Sequence, residues 1–503
     1  LILKSPLDLY NLRGFFLFEI YKFIVYGKIS YFIVYLMIKN TNILICNILV
    51  CFILLSGCAL YGPTYKKPEI KTPEKWNSSD NLSKTENINL PAMEWWKQFN
   101  DKQLTHLIHK AVENNNNIQV ALGRVLDAQG ELLQVQYSII PSVNALILGY
   151  ASTKVNIFDP GFSSGVLPTY ALNLFQYLRS SERAKAKAFS EAAIRDAVAL
   201  TVISETAAGY FAYSGHTYLL NQEQRLVADL KDLLYLSKKQ YTEGLISLYT
   251  LQQYEQDYDK AKAELPIVQN NVVLSRNALK LLLNENPGDV DIGSRFMNLN
   301  SRALVPVNLP SQVLKNRPDV RAAEQKLVAA NAEVGVVTST FFPTVSLTSI
   351  GGSVAEGLAR LFSGGHDYWN SLTLFGMPLL APEYAGQYKS AKGLRYAAYR
   401  EYIQVVRAAF KSVDDDLSTH QEYYASFVAQ GHNFASSQKA LNLATNSYDQ
   451  GLYSYPTLLI NKINMDRAAI DLTKSKIAQL TTIVRLYQDL GAGYAYQCNK
   501  TTS

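Results

Sequence analysis

The chain has 503 residues, with 48 Lys and Arg against 42 Asp and Glu and a formal net charge of +6. Residues 1–57 carry five basic and two acidic residues, so the rest keeps 43 against 40, which is too near neutral and too scattered to indicate nucleic acid or an acidic partner. Only four cysteines occur, and one thiol is left if the N-terminal apolar run is removed and Cys58 is acylated, which excludes a disulfide scaffold.

The first predicted element is a signal peptide at residues 37–57. It begins at Met37, carries a charged Lys39, continues through an apolar core at residues 43–55 and ends in small residues, which is the layout of a secretory signal. The apolar core is shorter than the roughly 20 residues that a membrane-spanning helix needs. An N-terminal membrane anchor is the alternative interpretation. Residues 1–36 are interpreted as a non-native extension upstream of the true start.

The signal ends in Leu55-Ser56-Gly57-Cys58, which looks like the bacterial lipobox, where cleavage precedes a cysteine that receives lipid chains. The next residue is Ala59 rather than Asp, the residue that retains lipoproteins in the inner membrane of some bacteria. The sequence therefore predicts an outer-membrane lipoprotein whose anchor is a covalent lipid on Cys58, since two or more acyl chains make anchoring stable. Residues 58–95, with four prolines and a polar stretch, are predicted to be the tether.

The body of the chain repeats itself. Residues 240–251 and 447–458 share six residue types at positions 207 apart, and a second pairing sets Pro141 against Pro343. An internal repeat indicates the overall architecture of a chain, and it is therefore considered before local secondary structure. We therefore expect two copies of one plan, at residues 96–300 and 301–495, followed by a tail at residues 496–503.

Each repeat is predicted to contain a helix that ends before a proline, two short strands and a long helix. Residues 345–348 and 371–374 alternate polar and apolar side chains as strands do, and residues 143–150 and 170–175 hold the equivalent places in the first repeat. No proline interrupts residues 180–240, and about 60 helical residues span roughly 90 Å. Such a helix indicates a coiled-coil or tubular assembly. Four strands are too few to close a membrane barrel within one chain.

The most specific motif follows in the second repeat. Arg317-Pro318-Asp319-Val320 precedes Ala323-Glu324 and Ala330-Asn331-Ala332 within residues 305–336, and residues 341–348 and 96–104 extend the same pattern. These segments resemble the NodT branch of the TolC-like outer-membrane efflux proteins, and the resemblance covers essentially everything from Cys58 onward. It implies an α+β fold in which three chains give four strands each to one 12-stranded outer-membrane β-barrel. A long periplasmic α-helical barrel continues that β-barrel.

The resemblance also implies a function and partners. A homotrimeric duct would carry small drug-like or toxic solutes passively, with a periplasmic adaptor and an inner-membrane pump, expected to be of the resistance-nodulation-division type. Two alternatives stay open: the duct of a type I protein secretion system, and a structural periplasmic coiled-coil lipoprotein without a pore. The two hairpins favour the duct, because a spacer needs no amphipathic strands. No nucleophile–base arrangement or phosphate-binding loop indicates an enzyme, and no cofactor beyond the lipid is expected.

The repeated turns at the far end of the long helices are the candidate gate and adaptor contact. The candidate residues are Gly244, Thr250, Gly451 and Thr457. Both glycines are expected to be turn residues. Members of the resembled family commonly carry an acidic residue six positions after this glycine, where this chain has threonine. The sequence therefore predicts closure through neutral hydrogen bonds and the rings of Tyr249 and Tyr455, rather than through rings of carboxylates.

Four further features receive less specific interpretations. His106 and His109 share a helical face without a third ligand, so no metal site is predicted. Asp414-Asp415-Asp416 is expected to be a charged surface patch. Pro456 fits a turn or kink better than a helix interior. Residues 173–179 lack the acidic-aromatic-glycine turn that is usual in the resembled family, so the connection from strand to helix is expected to differ.

Overall fold

The computed structural model describes residues 62–73, 76, 89–150, 161–293, 296–299, 315–355, 359, 363, 366–378 and 380–495. The chain divides into two units, Leu1–Gly62 and Pro63–Ser503, and every described residue except Gly62 belongs to the second. The predicted extension, signal peptide, Cys58 and tail lie outside the described residues. Among the helices in these ranges, none is both long and apolar enough to cross a membrane.

The two repeats contain similar sets of helices and strands. In the first repeat these are α1 (Lys102–Asn114), α2 (Asn116–Tyr137), β1 (Ser142–Tyr150), β2 (Gly161–Leu172), α3 (Leu174–Thr242) and α4 (Leu248–Leu282). In the second they are α5 (Pro318–Ser339), β3 (Thr344–Ala355), β4 (His366–Gly376), α6 (Glu383–Asp449) and α7 (Tyr455–Asp489). The helices α3 and α6 have 69 and 67 residues, or about 100 Å each. The prediction of one uninterrupted helix over residues 180–240 is confirmed.

The four strands form one antiparallel sheet in sequence order. The central pair, β2 and β3, joins the two repeats, with Leu172 opposite Val345. The outer pairs are hairpins, with Ser142 opposite Thr169 and Val345 opposite Phe375. Strands expected at residues 143–150, 345–348 and 371–374 are confirmed. Within the described strands, β1 and β4 each pair on one side only.

The second strand of the first repeat ends earlier than expected. Residues 170–175 are strand only as far as Leu172, because the side chain of Asn173 accepts a hydrogen bond from the Gln176 amide at 3.0 Å and caps α3. The Asn173 amide group also donates to the carbonyl oxygens of Ser339 and Phe342, at 2.8 and 3.3 Å. The chain therefore passes from strand to helix through one residue, which also holds the end of α5.

The helices lie side by side in a fixed order. Near the sheet, α3 packs between α2 and α5, and α6 packs against the other side of α5. In the half farther from the sheet, α3 packs between α4 and α7, and α6 packs against α7. As a result α3 has a principal neighbour on both sides throughout, whereas α6 has one on a single side.

The largest core lies midway along α3. Trp95 stacks on Tyr487 of α7 with ring centroids 4.9 Å apart, and Phe99 packs on Phe211 of α3 at 4.8 Å. The Tyr210 hydroxyl donates to Asp101 Oδ2 at 2.6 Å, which joins α3 to the N-cap of α1. Burial of these aromatic rings stabilises the molecule at this level.

The segment predicted as a tether lies against the second repeat where it is described. Its Pro63 carbonyl accepts a hydrogen bond from Asn331 of α5 at 2.8 Å, and Lys67 pairs with Glu324 of α5 at 2.6 Å. Farther along, Trp76 is buried against Phe410 of α6. Because α5 runs toward the sheet, the Pro63 end of this segment is the end nearer the strands.

Candidate channel tip and supporting clusters

The turn at the end of each long helix has the same backbone. Gly244 has φ of +72°, and the Leu245 amide donates to the Gln240 carbonyl at 2.8 Å. Gly451 has φ of +73°, and the Leu452 amide donates to the Ser447 carbonyl at 2.8 Å. This is the Schellman arrangement, which needs a left-handed residue that glycine supplies without a steric cost. Both glycines are therefore turn residues, as expected.

The threonines of the two tips hold the start of the next helix. Ser247 caps α4, accepting from the Thr250 amide at 3.1 Å, and its hydroxyl lies 3.0 Å from the Thr250 hydroxyl. Ser454 caps α7 in the same way, with its hydroxyl 2.9 Å from that of Thr457. The threonines take the place that Glu or Gln has in a capping box. Each tip is thus held by neutral hydrogen bonds within one chain.

Two features distinguish the second tip from the first. Pro456 lies in the first turn of α7, where its missing N–H would have had no helical partner, so the expectation against a helix interior is confirmed. Tyr455 packs near Tyr448 with ring centroids 5.8 Å apart, whereas the Tyr249 hydroxyl accepts from Gln253 at 3.0 Å.

Both tips expose apolar side chains at equivalent places. Leu245 is 72% exposed and Leu452 is 71% exposed. The tyrosines beside them, Tyr249 and Tyr455, are also exposed. Exposed apolar side chains grouped in this way commonly mark a surface that contacts a partner. The leucines belong to the repeat signature, but no pattern in the sequence indicates their exposure.

Behind the tips, a cluster of charged side chains joins α3, α4 and α7. Lys462 pairs with Asp229 at 2.8 Å, and Arg467 pairs with Asp257 at 2.8 Å. Asp466 is buried beside Asp229, and burial together with that carboxylate raises the pKa of Asp466 to about 6. The sequence did not indicate this cluster, because its members alternate with ordinary surface charges.

Arg317 of the family-like motif forms a clamp between three helices of the second repeat. Its guanidinium donates to Asp319 at 2.8 Å, to the Ser412 hydroxyl of α6 at 3.0 Å, and to the backbone carbonyl of Asp489 at 3.0 Å. Burial lowers the pKa of Arg317, but Asp319 and Asp489 outweigh it and raise the pKa. A cation at the last carbonyls of α7 is also favoured by the helix dipole.

The expectation of a surface patch at Asp414-Asp415-Asp416 is wrong for its last member. Asp415 is exposed and pairs with Lys411, but Asp416 is buried on the face of α6 that packs toward α7. Burial, followed by the nearby Asp489 carboxyl, raises the pKa of Asp416 to about 7. Asp416 therefore lies buried beside Asp489, not on the solvated surface.

The two histidines of α1 lie in different surroundings. His106 is exposed, whereas His109 is half-buried, edge-on to Trp96, with Nε2 3.7 Å from a Glu94 oxygen. In the part of the chain that the structure describes, no group of three or more His, Cys, Asp or Glu side chains is arranged to hold a metal ion.

A cavity of about 720 Å³ lies near the sheet and is lined by all four helices there, α2, α3, α5 and α6. A cavity that touches four neighbouring helices lies on the concave side of their layer. Its charges are largely compensated, because Lys187 pairs with Glu131 and Arg183 pairs with Glu333, each at 2.6 Å. The concave side therefore presents a polar surface of nearly balanced charge.

The family model described as "Outer membrane efflux protein" matches residues 107–285 and 309–492, which together exceed half of the chain. The solvent efflux pump outer membrane protein SrpC of Pseudomonas putida is 27% identical over 418 residues, covering 80% of this chain and 87% of that protein. The cation efflux system protein CusC of Escherichia coli is 27% identical over 412 residues, covering 80% and 88%.

The solved CmeC outer membrane channel of Campylobacter jejuni has a TM-score of 0.74 to this chain at 20% identity. The match covers 88% of this chain and 98% of the other. This likeness shows the fold, which is that of the outer-membrane channels and agrees with the α+β architecture predicted from the sequence.

Proposed function

This chain belongs to the outer membrane efflux protein family, and we propose that three copies of it form the passive outer-membrane duct of a tripartite efflux system. The membership confirms the resemblance indicated by Arg317-Pro318-Asp319-Val320 and its neighbours, and with it the outer-membrane location. The observation that carries the proposal is the four-stranded sheet, in which β1 and β4 each pair on one side only within the described strands.

Unpaired strand edges cannot lie in lipid, because every backbone polar group there needs a hydrogen-bond partner. Four strands are half of the smallest common membrane barrel. Pairing β4 of one copy with β1 of the next removes both edges at once. Three copies then give a closed barrel of 12 strands, the number that the resemblance implies.

The helices support the same assembly. Among the described helices, the principal neighbours of α6 lie on one side, which leaves its other side available to a neighbouring copy. Side-by-side association of three such layers would close a helical barrel below the strands. The concave cavity, with its compensated charges, would then face the lumen, where a polar and nearly neutral wall suits the passage of varied solutes.

The energy for transport would come from an inner-membrane pump of the resistance-nodulation-division type, through a periplasmic adaptor. The printed names of the relatives refer to solvents, toluene, antibiotics and cations. We infer that the exported solutes are small drug-like or toxic molecules and that the chain performs no chemistry on them. Nucleic acid has no part in this assembly.

The tips would be both the resting gate and the adaptor contact. Gly244 and Gly451 fix the turns, and Thr250 and Thr457 fix the helix starts that follow. The exposed Leu245 and the equivalent leucine of the second tip supply the apolar contact area. A gate of this kind would depend on apolar and neutral contacts and would open without the titration of carboxylate rings.

A lipid on Cys58 would add a second attachment to the outer membrane. The direction of the N-terminal segment supports this, because Pro63 lies at Asn331, eight residues before the end of α5 at the sheet, whereas Trp76 lies farther away at Phe410. Intact-mass measurement of the membrane-extracted protein tests it. A mass equal to residues 58–503 plus acyl chains is expected, and an unmodified N-terminus would contradict the anchor.

The duct itself is tested by single-channel recording of the purified processed protein in planar bilayers. Discrete openings are expected, with a rise in open probability when the tip leucines are replaced by serine. A protein that binds to the bilayer surface without inserting would contradict the duct and would favour the structural lipoprotein.

A further inference from the structure

The two long helices begin at the same level below the sheet, but they differ in how many of their positive charges are in ion pairs. The first 18 residues of each contain four Lys or Arg residues. In α3, Arg179, Arg183 and Lys187 each pair with a carboxylate. In α6 the four are Lys389, Lys392, Arg395 and Arg400, and among the described residues none of them is in an ion pair. The start of α6 therefore keeps its positive charge.

Tyrosine rings accompany these charges on α6. Lys392 Nζ lies 4.4 Å from the centroid of the Tyr388 ring, and the Arg400 guanidinium lies 5.1 Å from that of Tyr396. A ring face orients a cation but does not neutralise it, so the charge stays available to an anion. Tyrosine with Lys or Arg is also the combination found where protein meets the lipid headgroup layer.

A groove of about 720 Å³ lies over these residues on the convex side of the layer. One wall is the N-terminal segment at residues 64–69, the floor is α5 at Leu327 and Asn331, and the other wall is α6 at Lys392, Arg395 and Tyr396. The residues of α6 that line the concave cavity, such as Leu394 and Glu401, lie on the opposite face of that helix. The groove is therefore separate from the lumen-side cavity.

The groove has an excess of positive charge. Lys67 is neutralised by Glu324 at 2.6 Å, which leaves Lys66, Lys392 and Arg395 against a single lining carboxylate, Glu69. Leu327 and the tyrosine rings add apolar surface beside the cations. An anionic group attached to an apolar chain fits such a lining better than a small free ion does, because it contacts both the cations and the apolar side chains.

The height of the groove relative to the sheet fits the membrane surface. Lys392 is nine residues after the start of α6, but its Nζ lies over Tyr388, which is five residues, or about 8 Å, from that start. The headgroup layer is roughly 5–8 Å thick on each side of the hydrocarbon core. Tyr384, at the start of α6, packs on Phe341, three residues before β3 begins at Thr344. The upper end of the groove therefore lies roughly one headgroup layer below the start of α6, which is itself close to the strand ends.

We propose that this groove binds the phosphate headgroup of an anionic phospholipid from the periplasmic leaflet of the outer membrane. Arg395 would hold the phosphate through paired N–H donors, and Lys392 and Lys66 would supply further charge. The lipid tail would leave the groove toward the sheet. The proposal depends on the outer-membrane location of the family and on the placement of the strands in the membrane, but not on the duct being open or on the identity of the pump.

Lipid binding can be measured on the purified full-length processed protein by native mass spectrometry. Titration with phosphatidylglycerol is expected to give one retained lipid per chain at the lowest concentrations, with phosphatidylethanolamine at least tenfold weaker. The double variant Lys392→Gln, Arg395→Gln is expected to lose phosphatidylglycerol binding by tenfold or more. Lys439→Gln, an exposed lysine on α6 far from the groove, is the matched control and should bind as the unaltered protein does.

Several results would overturn the proposal. They are equal retention of the two lipids, an unchanged double variant, and displacement of the lipid by millimolar inorganic phosphate, which would indicate a site for free anions. An acidic peptide that competes with the lipid at micromolar concentration would point to a protein partner instead. Oligomer mass and channel conductance, recorded on the same samples, show separately whether the variants assemble and whether the duct itself holds.

Discussion

The long helices α3 and α6 occupy equivalent places in the two repeats and differ by two residues in length, yet their burial differs greatly. In α3, 26 of 69 residues are buried, whereas in α6 only 8 of 67 are buried. The difference therefore comes from position, because α3 packs between two neighbours and α6 packs against one.

This contrast shows which parts of the molecule are complete within one chain. Neighbouring helices of the same chain bury α3. The same is not true of α6, whose exposed side chains include Leu443 at 67%. A helix of about 100 Å whose surface is left largely uncovered indicates an interface with another chain. The sheet is also incomplete at its edges, because the outer strands β1 and β4 are the ones next to α2 and α6 in the chain.

The largest expected effect comes from removing the clamp that fixes α6 despite its low burial. Arg317→Ala deletes the contacts to Ser412 and Asp489 and leaves the half-buried Asp489 carboxyl without this cation. Loss of one partner of a buried charge pair costs about 3–5 kcal/mol, and the partial exposure of Asp489 places this variant at the lower end of that range. We expect a clear fall in the thermal unfolding midpoint, measured by circular dichroism in detergent. The matched control is Arg321→Ala, a half-exposed arginine one turn along α5, which should change the midpoint little.

The second prediction compares one leucine from each long helix. Leu233 of α3 is 2% exposed in the core with α4 and α7, and Leu233→Ala is expected to cost about 2–4 kcal/mol. Leu443 of α6 is 67% exposed, and Leu443→Ala is expected to leave the stability of the dissociated chain within about 0.5 kcal/mol. Equal losses of stability in the two variants, measured as unfolding midpoints of dissociated chains, would contradict the difference in burial between α3 and α6.

The stability of the fold should also depend on pH through Asp416, the buried carboxyl group of α6. The folded-state pKa of Asp416 is raised from its ordinary value to about 7, so its protonated form is favoured in the fold. Its contribution is therefore fully present below about pH 4 and is lost as the pH rises through about 7. Asp416→Asn cannot ionise, so the variant should gain roughly 1–2 kcal/mol over the unaltered protein at pH 8 and little at pH 4. Parallel pH profiles for the two proteins would contradict this assignment.

The smallest expected effects are at the tips, where the two repeats agree most closely. Thr250→Val and Thr457→Val each remove a hydroxyl that contacts the capping serine but keep the shape of the side chain. Each should cost about 0.5–1 kcal/mol at a helix start, with similar values at the two tips. Hydrogen exchange of residues 248–252 and 455–459 measures the fraying. A large effect at one tip alone would show that the two tips have different partners.

The sequence correctly predicted the helices, turns and strands that depend on local residue patterns. The length of α3 followed from the absence of proline, and the two turns followed from the repeated glycines. Strands β3 and β4 followed from alternation, and β1 followed from its equivalent place in the first repeat. The fourth strand ended early because Asn173, an ordinary polar residue in sequence, caps a helix and binds the end of α5. A local pattern cannot show such a distant partner.

The charged clusters could not be predicted for the same reason. Asp416 lies in a run of three acidic residues, which in sequence is typical of a solvated surface, and its neighbour Asp489 is 73 positions away. Asp229 and Asp466 meet across an even longer separation. Their burial depends on which face of each long helix meets the next, and heptad spacing leaves that open. Cys58 stays a prediction from its motif alone.

We infer that the uncovered sides of α6 and of the outer strands belong to interfaces between copies of this chain. The decisive experiment is native mass spectrometry of the processed protein, extracted gently from outer membranes. Particles of three chains are expected, and they should persist until the detergent or temperature is made harsh. A membrane-inserted particle of one chain would contradict this inference, because β1 and β4 would then have to find their hydrogen-bond partners elsewhere.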